Sequence, residues 1–388
     1  MKPSVVSAFL AASLFAASSH PPATLDGRSL AASTLNGRIE ALMRGNAVPG
    51  LGIAIIRGRN AWVHAYGVRN AKDKLPLTPD TVMYGASLTK ATFAYMVMQL
   101  VDEKRLDLDR PIAEYLPQPL PNYQKYADLA SDDRWRKLTV RMLLDHTSGL
   151  PNLRQFEPDG KLKFHYDPGA RFAYSGEGLN LAQFVLENGL HLDVGKEMQR
   201  RIFDRFDMPR TSMTWRDNRG PDIADSHLEN GDITPHPHRR NVGAAGSMDT
   251  TLADWTHFLT AVVNGEGLSR ASKAEMIRLQ ISIDSAVQFP TFSDAKTDEY
   301  KPIHLGYGLG WGVFETPFGH AFFKEGHDDG TANYALCIEP RRACVLLLSN
   351  SVRAEGIFKA VVDTVMGDVH LPWKWEGYTP YDIAPAAR

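Results

Sequence analysis

The chain has 388 residues, of which 43% are hydrophobic and 23% charged, and its formal net charge is −2. A chain of this length can bury a large core, either as one big domain or as two closely packed ones. Acidic and basic residues are interspersed and no basic block is present, which argues against nucleic-acid binding and against long-range steering of a charged substrate.

The N-terminus is typical of a secretory signal peptide. Lys2 precedes an apolar run of small residues over 5–17, and a polar stretch with two prolines follows it. The run is too short to span a bilayer comfortably. We therefore expect residues 1–22 to be a signal peptide and the mature protein to be periplasmic or secreted, with no membrane span. The alternative, a buried N-terminal helix, lacks an amphipathic stripe.

The first predicted elements are a helix and a hairpin. Residues 35–43 carry Leu35, Ile39, Leu42 and Met43 on one helical face. Residues 50–56 and 61–66 are strand-like and are separated by a polar turn, which predicts an antiparallel pair.

The next element contains Ser87-Leu88-Thr89-Lys90. A serine needs a base within hydrogen-bond reach to become a good nucleophile, and residues three apart share a helix face. Residues 81–86 read as an extended segment ending in a turn, and 91–100 as an apolar helix. This places Ser87 at a helix N-terminus, where free N–H groups favour negative charge.

Ser-x-x-Lys alone is equally compatible with a capping serine and a surface lysine. A second match, Ser293 to Lys296, lies in a polar stretch with no apolar helix after it, which predicts a solvated loop.

Residues 104–240 are rich in short helices, prolines and polar loops, which predicts a mainly helical lobe. From residue 311 onward, four strand-like runs and a closing helix follow. Strands near both chain ends predict an α/β (α+β) fold, in which residues 23–103 and 241–388 build one antiparallel sheet flanked by helices. The cleft between this sheet domain and the helical lobe is the expected ligand site.

The two cysteines, Cys337 and Cys344, flank a predicted hairpin turn at Pro340-Arg341. In an oxidising compartment a disulfide is possible. Counting outward from that two-residue turn, however, places them at a hydrogen-bonded pair, whose spacing suits a bridge poorly. Two reduced, buried thiols are therefore expected.

Three motifs together identify a family. The Ser87 motif is followed by Asp167-Pro168-Gly169-Ala170-Arg171-Phe172-Ala173-Tyr174-Ser175-Gly176 and by Lys324-Glu325-Gly326-His327-Asp328-Asp329-Gly330. In this order they resemble the motifs of the serine β-lactamase and penicillin-binding-protein superfamily. The closest likeness is to the branch of class C β-lactamases, D-alanyl-D-alanine carboxypeptidases, D-aminopeptidases and family VIII esterases, over about residues 30–370.

The resemblance implies roles for these residues. Ser87 would form an acyl-enzyme, and Lys90 would accept its proton after losing basicity by desolvation. Tyr174 would be the second proton-transfer group, its phenolate favoured by a neighbouring ammonium, and the proton is assigned to neither base. His327 matches the third motif. The backbone N–H groups of Ser87 and Gly330 would form the oxyanion hole.

The departures from the family pattern concern the substrate. Gly176 stands where an asparagine often binds the acyl amide, and Asp328 and Asp329 would repel a substrate carboxylate unless Arg239 or Arg240 offsets them. We therefore expect a hydrolase of esters, amides or D-amino-acid peptides. The alternatives are a β-lactamase or D-alanyl-D-alanine carboxypeptidase, and a catalytically silent ligand sensor.

The expected partner is a small-molecule or short-peptide substrate. No zinc-binding motif, phosphate loop or Gly-x-Ser-x-Gly elbow is present in the sequence, and we expect no cofactor.

Overall fold

The computed structural model describes residues 16–218 and 220–382. Most of the predicted signal peptide lies outside these residues, and of its apolar run only Ala16–Ala17 is described, as a short strand beside Asn60–Ala61. No helix among the described residues has the length and apolar character needed to cross a membrane.

A ten-stranded sheet forms the centre of the fold. Its path runs β1-β3-β2-β14-β13-β12-β11-β10-β9, with β4 paired to β3, and every pair except β1 with β3 is antiparallel. The strands of this sheet are β1 (Ala16–Ala17), β2 (Gly50–Arg57), β3 (Asn60–Asn70), β4 (Leu75–Pro76), β9 (Ile281–Ser282), β10 (Gly306–Tyr307), β11 (Gly312–Thr316), β12 (Gly319–Asp328), β13 (Thr331–Ile338) and β14 (Ala343–Ser349).

Two small ladders lie apart from the sheet: β5 (Met83–Tyr84) pairs with β8 (Asp249–Thr250), and β6 (Ser226–His227) pairs with β7 (Ile233–Thr234). The α-helices of the described residues are α1 (Ala32–Gly45), α2 (Leu88–Asp102), α3 (Val140–Leu144), α4 (Gly176–Gly189), α5 (Val194–Met198), α6 (Leu252–Asn264), α7 (Arg270–Ile277), α8 (Glu355–Met366) and α9 (Trp373–Glu376).

Both faces of the sheet are buried, because helices pack against each of them. Alternate residues of the central strands point to opposite faces. On β2, Ile53 and Ile55 pack in one core with α1 and α8, whereas Ala54 and Ile56 pack in the other core with α2 and α6. A strand buried on both sides reads as a nearly continuous apolar run, as Gly50–Arg57 does.

The predicted fold class is confirmed: a sheet assembled from both chain ends is flanked by helices, and the region between is largely helical. The regular elements that the structure describes between residues 112 and 203 are all helical: short 3₁₀ turns, α3 to α5 and a π-helical turn over Gln199–Phe203. Helix α2 is buried all round, from Leu88 to Leu100, which is the pattern of a central core helix. The division of the chain at residues 103 and 241 stays a prediction.

The expectation of reduced cysteines is wrong, because Cys337 and Cys344 form a disulfide between β13 and β14. The turn spans four residues rather than two, with 3₁₀ geometry over Glu339–Arg341 and Arg342 in the left-handed region. The two cysteines are register partners with Cα atoms 4.1 Å apart. That separation is typical of a non-hydrogen-bonded pair. The prediction assumed a two-residue turn, and a four-residue turn exchanges the hydrogen-bonded and non-hydrogen-bonded positions along the two strands.

Candidate active site

Ser87 lies at the N-terminal end of α2, where the chain turns sharply. The preceding segment is fixed by the β5–β8 ladder and by a hydrogen bond from Gly85 N–H to the Met248 carbonyl (2.9 Å). Ala86 then adopts a φ of 46°, a left-handed conformation that costs a non-glycine residue energy. Such strain is common at active sites, and here it presents Ser87 at the start of a buried helix.

Lys90 is placed one helical turn after the serine, as predicted. Its Nζ lies 2.9 Å from Ser87 Oγ and donates to the Ala245 carbonyl at 2.6 Å. The side chain is almost fully buried. Burial, with a smaller effect from the nearby Lys324 charge, lowers the pKa of Lys90 well below its usual value. A lysine in this state can be a neutral amine, which is what a proton acceptor requires.

Tyr174 is held in place by His146. The Ala173 N–H donates to the His146 carbonyl (2.8 Å), and the Ser175 N–H donates to His146 Nδ1 (3.1 Å). The imidazole also packs on the Tyr174 ring, with ring centroids 4.4 Å apart. The segment that carries His146, between α3 and the tyrosine loop, thus supports Tyr174.

The side chain that meets the Tyr174 hydroxyl from the sheet is Lys324 on β12. Its Nζ lies 3.2 Å from Tyr174 Oη and 2.7 Å from Glu325 Oε1. Gln288 Nε2 donates to the same carboxylate oxygen at 3.0 Å. Lys324 and Glu325 are both buried, so their charges compensate each other within the site.

The protonation of Tyr174 differs from the sequence-based expectation. A neighbouring ammonium was expected to favour the phenolate. In the structure, burial and the Glu325 carboxylate raise the pKa of Tyr174 well above its usual value, although a hydrogen bond with Ser87 acts in the opposite direction. These effects favour the neutral phenol of Tyr174 over the phenolate.

His327 lies further along β12 and contacts neither Ser87 nor Tyr174. Its ring meets Phe289 edge-on, its Nδ1 is 3.5 Å from Glu355 Oε1, and 37% of its side chain is exposed. The third motif therefore contributes Lys324 to the centre of the site, while His327 lines the cleft. The sequence signal for this is the tripeptide Lys324-Glu325-Gly326, which is similar to the Lys-Thr-Gly form of the third motif.

Gly330 is also displaced from its predicted role. Its N–H donates to Asp328 Oδ1 at 3.0 Å, and its Cα faces Ser226 rather than Ser87. The residue of β12 that approaches the serine is Gly326, where an added Cβ would come within 3.0 Å of both Ser87 N and Leu88 N. An oxyanion hole shared between Ser87 and this part of β12 fits the geometry better than one that includes Gly330.

Ser87, Lys90, Tyr174 and His327 all line one cleft of about 1080 Å³. Sequence reasoning missed Asn152 and Asn180, which also line it. Asn152 Oδ1 accepts from the Gly176 N–H (3.2 Å), so an amide stands beside the glycine that lacks one.

The two arginines proposed as carboxylate anchors differ in position. Arg239 lines the cleft, stacks on the Tyr84 ring and lies 3.7 Å from Asp249 and 3.9 Å from Asp328. Arg240 is exposed and pairs with Asp217. The second Ser-x-x-Lys match is a loop as predicted, in which Lys296 pairs with Asp284.

No group of three or more His, Cys, Asp or Glu side chains within residues 16–218 and 220–382 is arranged to hold a metal ion.

Comparison with known proteins gives a consistent picture. Penicillin-binding protein 4 of Amycolatopsis lactamdurans is 23% identical, with 90% of this chain and 95% of the relative covered. The octameric penicillin-binding protein homologue from Pyrococcus abyssi has a TM-score of 0.70 at 21% identity, covering 87% of this chain and 78% of that one. The D-alanine carboxypeptidase AmpC from Burkholderia cenocepacia has a TM-score of 0.66 at 18% identity, covering 86% and 97%. At these identities the two structures support the fold alone. The β-lactamase family model matches residues 35–362, most of the sequence, and the chain therefore belongs to the β-lactamase family.

Proposed function

We propose that this chain is a serine hydrolase that forms an acyl-enzyme on Ser87 and acts on esters, amides or D-amino-acid peptides. Membership of the β-lactamase family supports a serine-hydrolase-like function. The observation that carries the proposal is the 2.9 Å contact between Lys90 Nζ and Ser87 Oγ in the cleft, where Lys90 Nζ also lies 4.9 Å from the centre of the Tyr174 ring.

In this proposal Lys90 and Tyr174 carry out different proton transfers. Neutral Lys90 accepts the Ser87 proton as Oγ bonds to the substrate carbonyl carbon. Neutral Tyr174 donates its proton to the leaving group as the carbonyl–leaving-group bond breaks, and it regains a proton from the Lys90 ammonium. In deacylation, water attacks the acyl carbon and one of its protons passes to neutral Lys90. Ser87 Oγ then takes a proton from the Lys90 ammonium as its bond to the acyl carbon breaks.

Backbone N–H groups complete the proposed machinery. The negative charge that develops on the carbonyl oxygen would be stabilised by two backbone N–H groups. One is that of Ser87 at the start of α2, and the other belongs to β12 next to Gly326. Lys324 and Glu325 hold the Tyr174 hydroxyl without adding net charge to the site.

β-Lactamase or D-alanyl-D-alanine carboxypeptidase activity is the second candidate, favoured by Asn152 beside Gly176, which could bind an acyl amide. A silent ligand sensor is less favoured, because Ser87, Lys90 and Tyr174 are all present and line the same cleft. Export to the periplasm or medium remains part of the proposal, on the N-terminal pattern alone.

Intact-protein mass spectrometry tests the proposal after exposure to a p-nitrophenyl ester, a fluorophosphonate and a penicillin. We expect a covalent adduct that is lost in Ser87→Ala. The matched control is Ser293→Ala in the second Ser-x-x-Lys segment, which should label like the wild type. Turnover then ranks the ester against the penicillin. A wild-type protein that no probe modifies would contradict the hydrolase and favour the sensor.

A further inference from the structure

The cleft around Ser87 carries more acidic than basic side chains. Its lining includes five carboxylates and, besides His327, two basic residues, Lys90 and Arg239. Lys90 must be neutral to act as the proposed base, and Arg239 already lies close to Asp249 and Asp328. The five carboxylates are those of Glu229, Glu325, Asp328, Asp329 and Glu355.

Glu325 is the most deeply placed of these carboxylates. It is 2% exposed, and its Oε1 is bonded to Lys324 and Gln288. Its Oε2 has no hydrogen-bond partner among the described residues, although a buried carboxylate oxygen left unpaired is costly. Lys324 therefore satisfies one oxygen of Glu325 and leaves the other available to a ligand.

Glu355, at the start of α8, presents a second such oxygen next to His327. Its Oε1 is buried without a hydrogen bond and lies 3.5 Å from His327 Nδ1. Glu325 and Glu355 both line this cleft. A positively charged hydrogen-bond donor would satisfy the unpaired oxygen of Glu325, and Glu355 offers a further acceptor in the same cleft.

We propose that Glu325, assisted by Glu355, binds a cationic group of the substrate, a primary ammonium within a few bonds of the scissile carbonyl. This inference rests on the proposed function, since it names the substrate class of the same site. An ammonium supplies the donors that the unpaired oxygens lack, whereas a substrate carboxylate would bring a like charge against Glu325.

Three achiral esters that share one leaving group test this specificity: glycine benzyl ester, N-acetylglycine benzyl ester and N-succinylglycine benzyl ester. The first presents an ammonium on the acyl methylene group, the second a neutral amide there, and the third the same amide with a carboxylate further out on its succinyl chain. We expect kcat/KM to fall in that order, by about tenfold or more between the ammonium and the neutral ester. In Glu325→Gln the ratio between these two esters should approach one, and Glu355→Gln should reduce it in part.

The ratio separates specificity from damage to the machinery, because the acetyl ester reports any general loss that Glu325→Gln causes through Lys324. The matched control is Glu315→Gln on β11, outside the cleft, which should leave all three rates unchanged. If Glu325→Gln slows all three esters equally, Glu325 only balances the Lys324 charge and the inference is overturned.

Calorimetric titration of Ser87→Ala with the same esters keeps the inference testable without turnover. Tighter binding of the ammonium ester, abolished in Ser87→Ala with Glu325→Gln, would support it. Equal binding of all three esters would overturn it. Selective binding of the ammonium ester with no hydrolysis by the wild type would instead contradict the proposed function while leaving the cation site in place.

Discussion

Among the neighbouring charges, that of Lys324 has the largest effect on the protonation of Lys90. Burial is the main cause of the lowered pKa of Lys90, the Lys324 charge lowers it further, and the Glu325 charge raises it. Since only the neutral amine can take the Ser87 proton, the pH at which activity appears should report these two charges.

The acid limb of the pH profile of kcat/KM should therefore move when Lys324 is changed. In Lys324→Met the lowering charge is lost, the pKa of Lys90 rises and the limb moves to higher pH. In the double variant with Glu325→Gln, only burial remains, so the limb should lie between those of the wild type and the single variant. Surface variant Lys196→Met is the control. A limb that stays in place in all variants would show that Lys90 is not the titrating base.

At the scale of elements, the site depends on how closely β12 approaches the start of α2. Gly326 permits this approach, because a Cβ there would lie 2.9 Å from the Gly85 carbonyl oxygen and 3.0 Å from Ser87 N. Such a contact with backbone atoms cannot be relieved by rotating a side chain, so strand and helix would have to separate.

Gly326→Ala should consequently reduce the acylation rate, by about 10²–10³-fold if it removes one oxyanion donor. The measurement is the rate of fluorophosphonate labelling of Ser87, accompanied by thermal unfolding to show that the fold is retained. Gly243→Ala serves as the control, since its added Cβ would meet only Ser247 Cβ, at 3.7 Å. Normal labelling of Gly326→Ala would exclude β12 from the oxyanion hole.

The Cys337–Cys344 disulfide staples two neighbouring central strands across a short turn. The crosslink closes a loop with a sequence separation of 7 residues, for which chain entropy predicts a stabilisation of about 2 kcal/mol. We expect a reductant to lower the free energy of unfolding of the wild type by about that amount, measured in urea. The Cys337→Ala, Cys344→Ala double variant should not respond. Two thiols that alkylate in denaturant without reductant would contradict the disulfide.

For the whole molecule, the sequence predicted the elements that local patterns specify. Periodicity predicted the long strands, α1 and α2. The one-turn spacing on a helix predicted the contact of Ser87 with Lys90. The placement of Lys324, Gly326 and Gly330 was not predictable in this way, because it depends on the register of β12 against a helix more than 200 residues earlier. The disulfide was missed for a related reason, since the length of the turn decides which residue pairs beyond it are hydrogen-bonded and which are not.

Buried acids also tie the stability of the whole molecule to pH. Burial, with the charges of Glu229 and Glu325, raises the pKa of Glu355 to about 8 from an ordinary value of 4.5. Between about pH 4.5 and pH 8 the folded state therefore holds a proton on Glu355 that the unfolded chain has released. The contribution of Glu355 to the free energy of unfolding is fully present below about pH 4.5 and is lost as pH rises through about 8.

The free energy of unfolding should accordingly decline between about pH 5 and pH 8, and Glu355→Gln should make the decline shallower, because glutamine stays neutral throughout. Urea titrations at several pH values measure this slope, with Glu315→Gln on β11 as a variant that should keep the wild-type slope. Cation binding at Glu325 and Glu355 would favour the ionised carboxylate, so a saturating ammonium ester should flatten the slope in Ser87→Ala. An unchanged slope in Glu355→Gln would mean that Glu355 is ionised in the folded protein across this range.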